Sequence, residues 1–114
     1  MRTLLLSAIV LGGAAPALAD PAPGVTVMYE YNYRPGDRTL TGEDGTVTLT
    51  ADRMGQYDVM VAEPLEYDVV LYVSAGGSEA SMSLPADTIP GTRKLNFQLP
   101  EGEEIAIRVE TAGE

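Results

Sequence analysis

The chain has 114 residues, 17 of them acidic and 7 basic, and its formal net charge is −10 at pH 7. It contains neither cysteine nor histidine. These absences exclude a disulfide framework, zinc, copper and haem sites built on their usual ligands, and Ser-His-Asp or Cys-His catalysis. The acidic balance disfavours nucleic acid and anionic membranes as partners, and it permits a cationic or polar partner, although solubility alone also explains it.

The first 19 residues have the pattern of a secretory signal peptide. A basic start at Arg2 precedes a mostly apolar run over residues 3–16, and Ala17-Leu18-Ala19 fits the small-x-small cleavage rule. The run is shorter than the roughly 20 apolar residues that span a bilayer, so we expect no stable membrane insertion. Cleavage after Ala19 leaves 95 residues, with six basic against 17 acidic residues and hence a net charge of −11. The predicted location is therefore periplasmic or secreted.

The mature length suits a single domain with one hydrophobic core. Residues 20–24 contain two prolines and are predicted to form a flexible lead, followed by the folded domain at residues 25–110. The tail at residues 111–114 is predicted to fray, as chain ends commonly do.

Apolar and polar residues alternate with a period of two along most of the mature chain, which is typical of β-strands with one buried face. Clusters such as Arg34-Pro35-Gly36-Asp37 and Ala75-Gly76-Gly77-Ser78 have the composition of turns. The alternation predicts an all-β fold, a single immunoglobulin-like antiparallel β-sandwich, with a small barrel as the alternative. The strand centres of this prediction number about seven and lie at residues 25–33, 47–49, 57–61, 67–73, 82–84, 95–99 and 105–109. The strand at 67–73 is apolar on both faces, which predicts a central position.

A row of tyrosines, Tyr29, Tyr31 and Tyr33, is the first candidate for a partner-binding site. Three rings on one face of a strand form a flat platform with large contact area and hydroxyl groups for specificity. The alternative, which we favour, is that the row belongs to the core face, because Val25 and Val27 share its parity.

The acidic loop at residues 37–44 is a weaker candidate. Asp37, Glu43 and Asp44 supply carboxylates of the kind that Ca²⁺ binds, but their spacing does not match an EF-hand. We therefore predict no metal and no cofactor. No nucleophile-and-base constellation accompanies the acids Asp58, Asp68, Glu63 and Glu66, so no active site is predicted there. No copper-site spacing relates the methionines Met28, Met54, Met60 and Met82, so no copper site is predicted either.

Open strand edges provide another kind of candidate, because the unpaired N–H and C=O groups of an edge can accept an added strand. Thr46–Thr50 and residues 80–84 are short and polar enough to be edges. The stretch from 78 to 83 carries only Glu79 as a charge, so it is weakly protected. Ser81 and Ser83 are the partner-binding residues that this segment contributes to the prediction.

The C-terminal half resembles the small periplasmic curli-assembly chaperones, the CsgC/CsgH-like family. The residues that carry the resemblance are Ser83-Leu84-Pro85-Ala86-Asp87, Arg93-Lys94-Leu95-Asn96-Phe97-Gln98-Leu99, Glu101-Gly102-Glu103-Glu104-Ile105-Ala106-Ile107-Arg108-Val109, and upstream Val47-Thr48-Leu49-Thr50. The resemblance implies an immunoglobulin-like sandwich that keeps a secreted amyloid subunit from polymerising. The Cys-x-Cys pair of one branch of the family is absent, so no redox role is implied. A basic contact surface, which the family is held to use, is not evident in this acidic chain.

The sequence therefore predicts a monomeric binding protein rather than an enzyme, with an extended or unfolded polypeptide as its partner. The leading hypothesis is a chaperone or inhibitor of curli-type subunit aggregation. The alternatives are a structural or adhesive subunit of an envelope assembly, and a small module that binds calcium or another ligand.

Overall fold

The computed structural model describes residues 20–112. The predicted signal peptide, residues 1–19, therefore lies outside the described residues, as do residues 113 and 114 of the predicted tail.

The described residues form two four-stranded antiparallel sheets packed face to face, and the predicted β-sandwich is confirmed. The strands are β1 Thr26–Tyr31, β2 Arg34–Leu40, β3 Thr46–Thr50, β4 Gly55–Val61, β5 Val69–Ala75, β6 Ser78–Leu84, β7 Leu95–Leu99 and β8 Glu104–Thr111. The first sheet has the order β2-β1-β4-β7 and the second has the order β3-β8-β5-β6. Only β1–β2 and β5–β6 are sequential neighbours within a sheet, so the other connections cross between the sheets.

Strand β2 has no counterpart among the predicted strands, and it raises the number of strands in residues 20–112 to eight. The predicted turn at Arg34-Pro35-Gly36-Asp37 is wrong, because the chain reverses two residues earlier, at Asn32 and Tyr33. Both residues have positive φ angles, 48° and 70°, which is the geometry of a two-residue hairpin turn. Pro35 is tolerated because β2 lies at the edge of its sheet.

The core lies between the sheets and is built from alternate residues of the inner strands. In β5 and β8 every second residue is buried, as the period-two pattern predicts. The prediction that the apolar segment around 69–73 is central is confirmed, since β5 lies between β8 and β6. The largest fully buried side chains are Tyr57, Leu71, Leu84, Ile105, Ile107, Val27, Val59, Val69, Val73, Val109 and Asp58.

Residues 20–22 of the predicted flexible lead lie along β8, and the Gly24 N–H donates to the Thr41 carbonyl at 3.0 Å. Ala22 is fully buried, and its N–H donates to the carbonyl of Val109 at 2.9 Å. The Thr111 N–H donates in turn to the Asp20 carbonyl at 2.8 Å, so β8 includes the first residue of the predicted tail. The two prolines of this segment suit a stretch that makes only a few ladder hydrogen bonds.

Thr41 connects this segment to the body of the domain. Thr41 is 4 % exposed. Its hydroxyl donates to the Ala22 carbonyl at 2.7 Å and accepts from the Val25 N–H at 3.0 Å.

We expect Thr41→Val to lower the free energy of unfolding by about 1–3 kcal/mol, because it leaves the Ala22 carbonyl and the Val25 N–H without their partner. Urea denaturation measures the change. The exposed substitution Thr50→Val is the control and should stay within about 0.5 kcal/mol of the parent; an equal effect of both would contradict the assignment.

Candidate functional site

Four strand edges bound the two sheets, β2 and β7 in the first and β3 and β6 in the second. The prediction that Thr46–Thr50 and the segment 80–84 form edges is confirmed. These edges differ in the side chains that protect them and in the contacts that close their backbone groups, and the candidate site considered first is the β6 edge.

Strand β6 leaves the backbone groups of three residues directed away from its sheet. The β5–β6 hairpin turns through Gly76-Gly77, so Ala75 and Ser78 form the closing hydrogen-bonded pair. Because hydrogen-bonded pairs alternate along an antiparallel ladder, Glu79, Ser81 and Ser83 direct their N–H and C=O groups outwards. The contact of Arg93 agrees with this alternation, since its Nη1 donates to the Ser83 carbonyl at 3.4 Å.

The outward backbone groups of Glu79 and Ser81 accept no hydrogen bond and donate none within residues 20–112. Glu79 is also the only charged side chain in the seven residues of β6. Natural edges are usually protected by charge, proline or a bulge, and β6 has little of any of these. The side chains of Ser81 and Ser83, predicted as partner-binding residues, are exposed at this edge.

Strand β3 is closed at its beginning by Asp44. The Oδ1 atom of Asp44 accepts from the Thr46 N–H at 3.1 Å and from the Thr46 hydroxyl at 2.8 Å, and the Gly42 N–H donates to the Thr46 carbonyl at 3.1 Å. The hydroxyl and backbone hydrogen bonds from Thr46 lower the pKa of the Asp44 carboxyl. Only Thr48 and Thr50 therefore remain open along this edge.

The loop considered for calcium thus uses one of its carboxylates to cap a strand edge. Asp37 is separated from the other two acids, because it lies in β2 while Glu43 and Asp44 lie in the loop that follows. Residues 20–112 bring together no group of three or more acidic side chains that could hold a metal ion.

The edge β2 is protected in the usual way. Its sequence contains Arg34, Pro35, Asp37 and Arg38, and Arg38 pairs with Glu63 at 2.7 Å. β2 therefore differs from β6 in having three charged residues and a proline, where β6 has one charged residue and no proline.

A shallow groove of about 550 Å³ lies on the outer face of the second sheet, beside the β6 edge. One row of facing residues runs across all four strands of that sheet: Thr46, Arg108, Tyr72 and Ser81. The guanidinium of Arg108 lies 4.2 Å from the centre of the Tyr72 ring, a cation–π contact that fixes both side chains. A strand added at β6 would extend this row by one residue.

The structure does not assemble the three tyrosines into a single platform. Tyr29 and Tyr31 pack against the buried Tyr57, with ring centroids 5.2 Å and 5.1 Å away. The Tyr31 hydroxyl donates to the Met54 carbonyl at 2.8 Å, and burial raises the pKa of Tyr29, assisted by the nearby Asp52 carboxylate. Tyr33 lies in the hairpin turn and is 72 % exposed.

The four acids considered for catalysis do not form one cluster within residues 20–112. Glu63 pairs with Arg38, and Asp68 accepts from the Ala86 N–H at 2.8 Å. Asp58 is the exception in burial, with 2 % of its surface exposed, although it lies on the outer side of β4. Its burial was visible in the sequence only indirectly, because Tyr57, Val59, Met60 and Val61 make β4 apolar on both faces.

No protein-family model, no curated protein and no solved structure matches this chain. Between residues 20 and 112 no helix is long and apolar enough to cross a membrane.

The capping role of Asp44 predicts a specific pH dependence. Because its folded-state pKa is lowered, its contribution to stability is complete above the usual carboxyl pKa, about 4, and is lost as pH falls through the lowered value. We expect Asp44→Ala to reduce stability near pH 6 and to differ little from the parent near pH 2. Thermal unfolding across this range measures the effect. The neighbouring Glu43→Ala is the control; a difference between parent and Asp44→Ala that does not shrink on acidification would contradict the role.

Proposed function

We propose that this chain is a periplasmic or secreted, non-catalytic binding protein that holds an extended, aggregation-prone polypeptide by strand addition at β6. In this role it acts as a chaperone or inhibitor of the aggregation of amyloid subunits of the curli type. The observation that carries the proposal is the open backbone of Glu79 and Ser81 in a strand with one charged residue.

Strand addition explains how a weakly charged edge recognises a client. The N–H and C=O groups of Glu79 and Ser81 offer four hydrogen bonds to a guest backbone, independently of the guest's sequence. Guest side chains on the outer face would contact Ser81 and continue the row through Tyr72 and Arg108. Amyloid subunits polymerise by the same edge-to-edge pairing, so an occupied edge is unavailable for fibril growth.

Charge supports a transient complex rather than co-assembly. The sequence carries 17 acidic and 7 basic residues, so copies of the chain repel one another while a guest strand is held. The signal-peptide pattern and the resemblance of the C-terminal half to curli-assembly chaperones support the proposed location and client class.

A second candidate function is a structural subunit of an envelope assembly. The observation that favours it is that β3 is also open, at Thr48 and Thr50, on the opposite edge of the same sheet. A sheet with two open edges can be extended in both directions, as a polymerising subunit requires. Sedimentation velocity over a range of concentrations separates the candidates, since the chaperone stays monomeric and the subunit associates.

Proline substitution tests the β6 edge without disturbing the sheet. Because the Ser81 N–H points away from β5, Ser81→Pro removes a group needed by a guest strand and breaks no ladder hydrogen bond. We expect the parent protein, at substoichiometric amounts, to lengthen the lag phase of thioflavin-detected polymerisation of a curli-type subunit. Ser81→Pro should abolish most of this delay.

The matched control is Thr48→Pro, which places proline at an outward position of the other edge, β3. Circular dichroism verifies that both variants keep the β-sheet signal of the parent. A parent protein that leaves the lag phase unchanged would refute the chaperone proposal. A delay that survives Ser81→Pro but is lost with Thr48→Pro would move the client to β3 and refute the assignment to β6.

A further inference from the structure

Asp58 is a buried carboxylate on the outer side of the first sheet. Its Oδ1 atom accepts from the Asn96 Nδ2 at 2.6 Å and from the Gln56 Nε2 at 3.1 Å. Its Oδ2 atom has no hydrogen-bond partner among residues 20–112, although only 2 % of the residue is exposed. A half-satisfied buried carboxylate is costly, so its presence requires an explanation.

The carboxylate fixes the orientation of both amides. An ionised carboxylate only accepts hydrogen bonds, so Asn96 and Gln56 must present their NH₂ groups to it. The carbonyl oxygens of the two amides are then turned away from Asp58, and neither has a partner among the described side chains and backbone groups. The pair therefore offers two free carbonyl acceptors, and each NH₂ group keeps one N–H that Asp58 Oδ1 does not take.

Gln56 and Asn96, which carry these acceptors, line a surface hollow of about 360 Å³. Its lining residues are Tyr33, Gln56, Asn96, Phe97 and Gln98. Tyr33 contributes the ring that is 72 % exposed at the β1–β2 turn. The hollow thus combines hydrogen-bond acceptors with the face of an aromatic ring, which are the two elements that recognise a planar cation.

The local charge selects the sign of the ligand. Glu30 lies opposite Asp58 across β1 and β4, and Lys94 pairs with Glu30 at 3.0 Å. No lysine or arginine of the described residues forms an ion pair with Asp58. Two carboxylates and one ammonium leave this part of the sheet with one surplus negative charge, which a cationic ligand would neutralise.

We propose that the hollow binds a guanidinium group, an arginine side chain of a polypeptide, between the Tyr33 ring and the amide carbonyls of Asn96 and Gln56. A guanidinium supplies several N–H donors in one plane and stacks on aromatic rings, so it satisfies both features of the hollow. The identification of the ligand as part of a polypeptide rests on the proposed function.

The position of the hollow is consistent with a strand-shaped client. The Asn32 N–H donates to the Gln56 carbonyl, so Gln56 directs its backbone towards β1 and Tyr57 directs its backbone towards β7. By alternation, Asn96 and Gln98 direct their backbone groups away from the sheet at the β7 edge. A client that reached this edge would place a side chain over the hollow.

Side-chain amide signals in ¹⁵N-resolved NMR spectra test the proposal directly. The first probe is acetyl-Gly-Arg-Gly-amide. The second is the same peptide with citrulline in place of arginine, which keeps the shape but lacks the charge. The third is methyl glucoside, an uncharged sugar that tests the alternative of a neutral ligand. We expect the arginine peptide to shift the amide signals of Asn96 and Gln56 in a saturable manner, and the citrulline peptide to bind at least about fivefold more weakly. An equal response to citrulline, or a stronger response to the glucoside, would overturn the assignment of a cationic ligand.

Asp58→Asn is the sharpest variant, because the Asn oxygen can still accept from both amides while its NH₂ group takes the place of the unpartnered Oδ2. We expect it to fold and to weaken arginine-peptide binding by about tenfold, since the buried charge is gone. Tyr33→Asn, which suits a positive φ, should weaken binding about two- to fivefold through loss of the ring. Tyr67→Asn, at another exposed ring outside the hollow, is the control and should bind like the parent.

The two proposals fail separately. If the parent delays fibril formation but the arginine peptide does not shift Asn96 and Gln56, the guanidinium site is refuted and strand capture stands. If the peptide binds and Asp58→Asn weakens it, but fibril formation is not delayed, the chaperone function is refuted and the site stands. Binding that is unchanged in correctly folded Asp58→Asn would also refute the role of the buried charge.

Discussion

The structure depends on burying alternate apolar side chains between two sheets, with no covalent link to assist. The chain has no cysteine, so its stability comes from the contact between inner faces such as those of β5 and β8. A two-layer sandwich that satisfies this constraint must end each sheet in an edge strand, whose outward backbone groups no strand of the same sheet can pair. The candidate functions follow from the way these unavoidable edges are finished.

The strand edges differ in how they are protected. In β2, proline and charge protect the backbone, and in β3 the Asp44 cap closes the first residue. In β6, the small side chains of Ser81 and Ser83 leave the edge accessible. A protein under selection only for solubility gains nothing from the open backbone groups of Glu79 and Ser81, so a bound partner is the simplest explanation of the β6 edge.

Much of the architecture could be predicted from the sequence, because side-chain alternation is a local signal that survives in the fold. The central position of β5 and the edges at Thr46–Thr50 and 80–84 follow from it directly. The strand β2 could not be predicted, because Pro35 and Gly36 are turn formers unless the reversal has already occurred at Asn32 and Tyr33. Gly36 suits this position, since a Cβ atom would lie only 3.0 Å from the Tyr29 ring. The hollow beside Gln56 and Asn96 could not be predicted from the sequence either, because it is formed by β4, β7 and the β1–β2 turn, which are distant from one another along the chain.

The burial of Ala22 limits how much of the N-terminal segment the domain can lose. This residue is fully buried three positions after the predicted cleavage site, and it supplies the acceptor for the Thr41 hydroxyl. Processing that trimmed the chain beyond Ala22 would create a void in the core and leave Val109 and Thr41 without their partners. Residues up to Ala19 can therefore be removed, as the sequence predicts, without loss of these contacts, whereas removal of Ala22 would destabilise the domain.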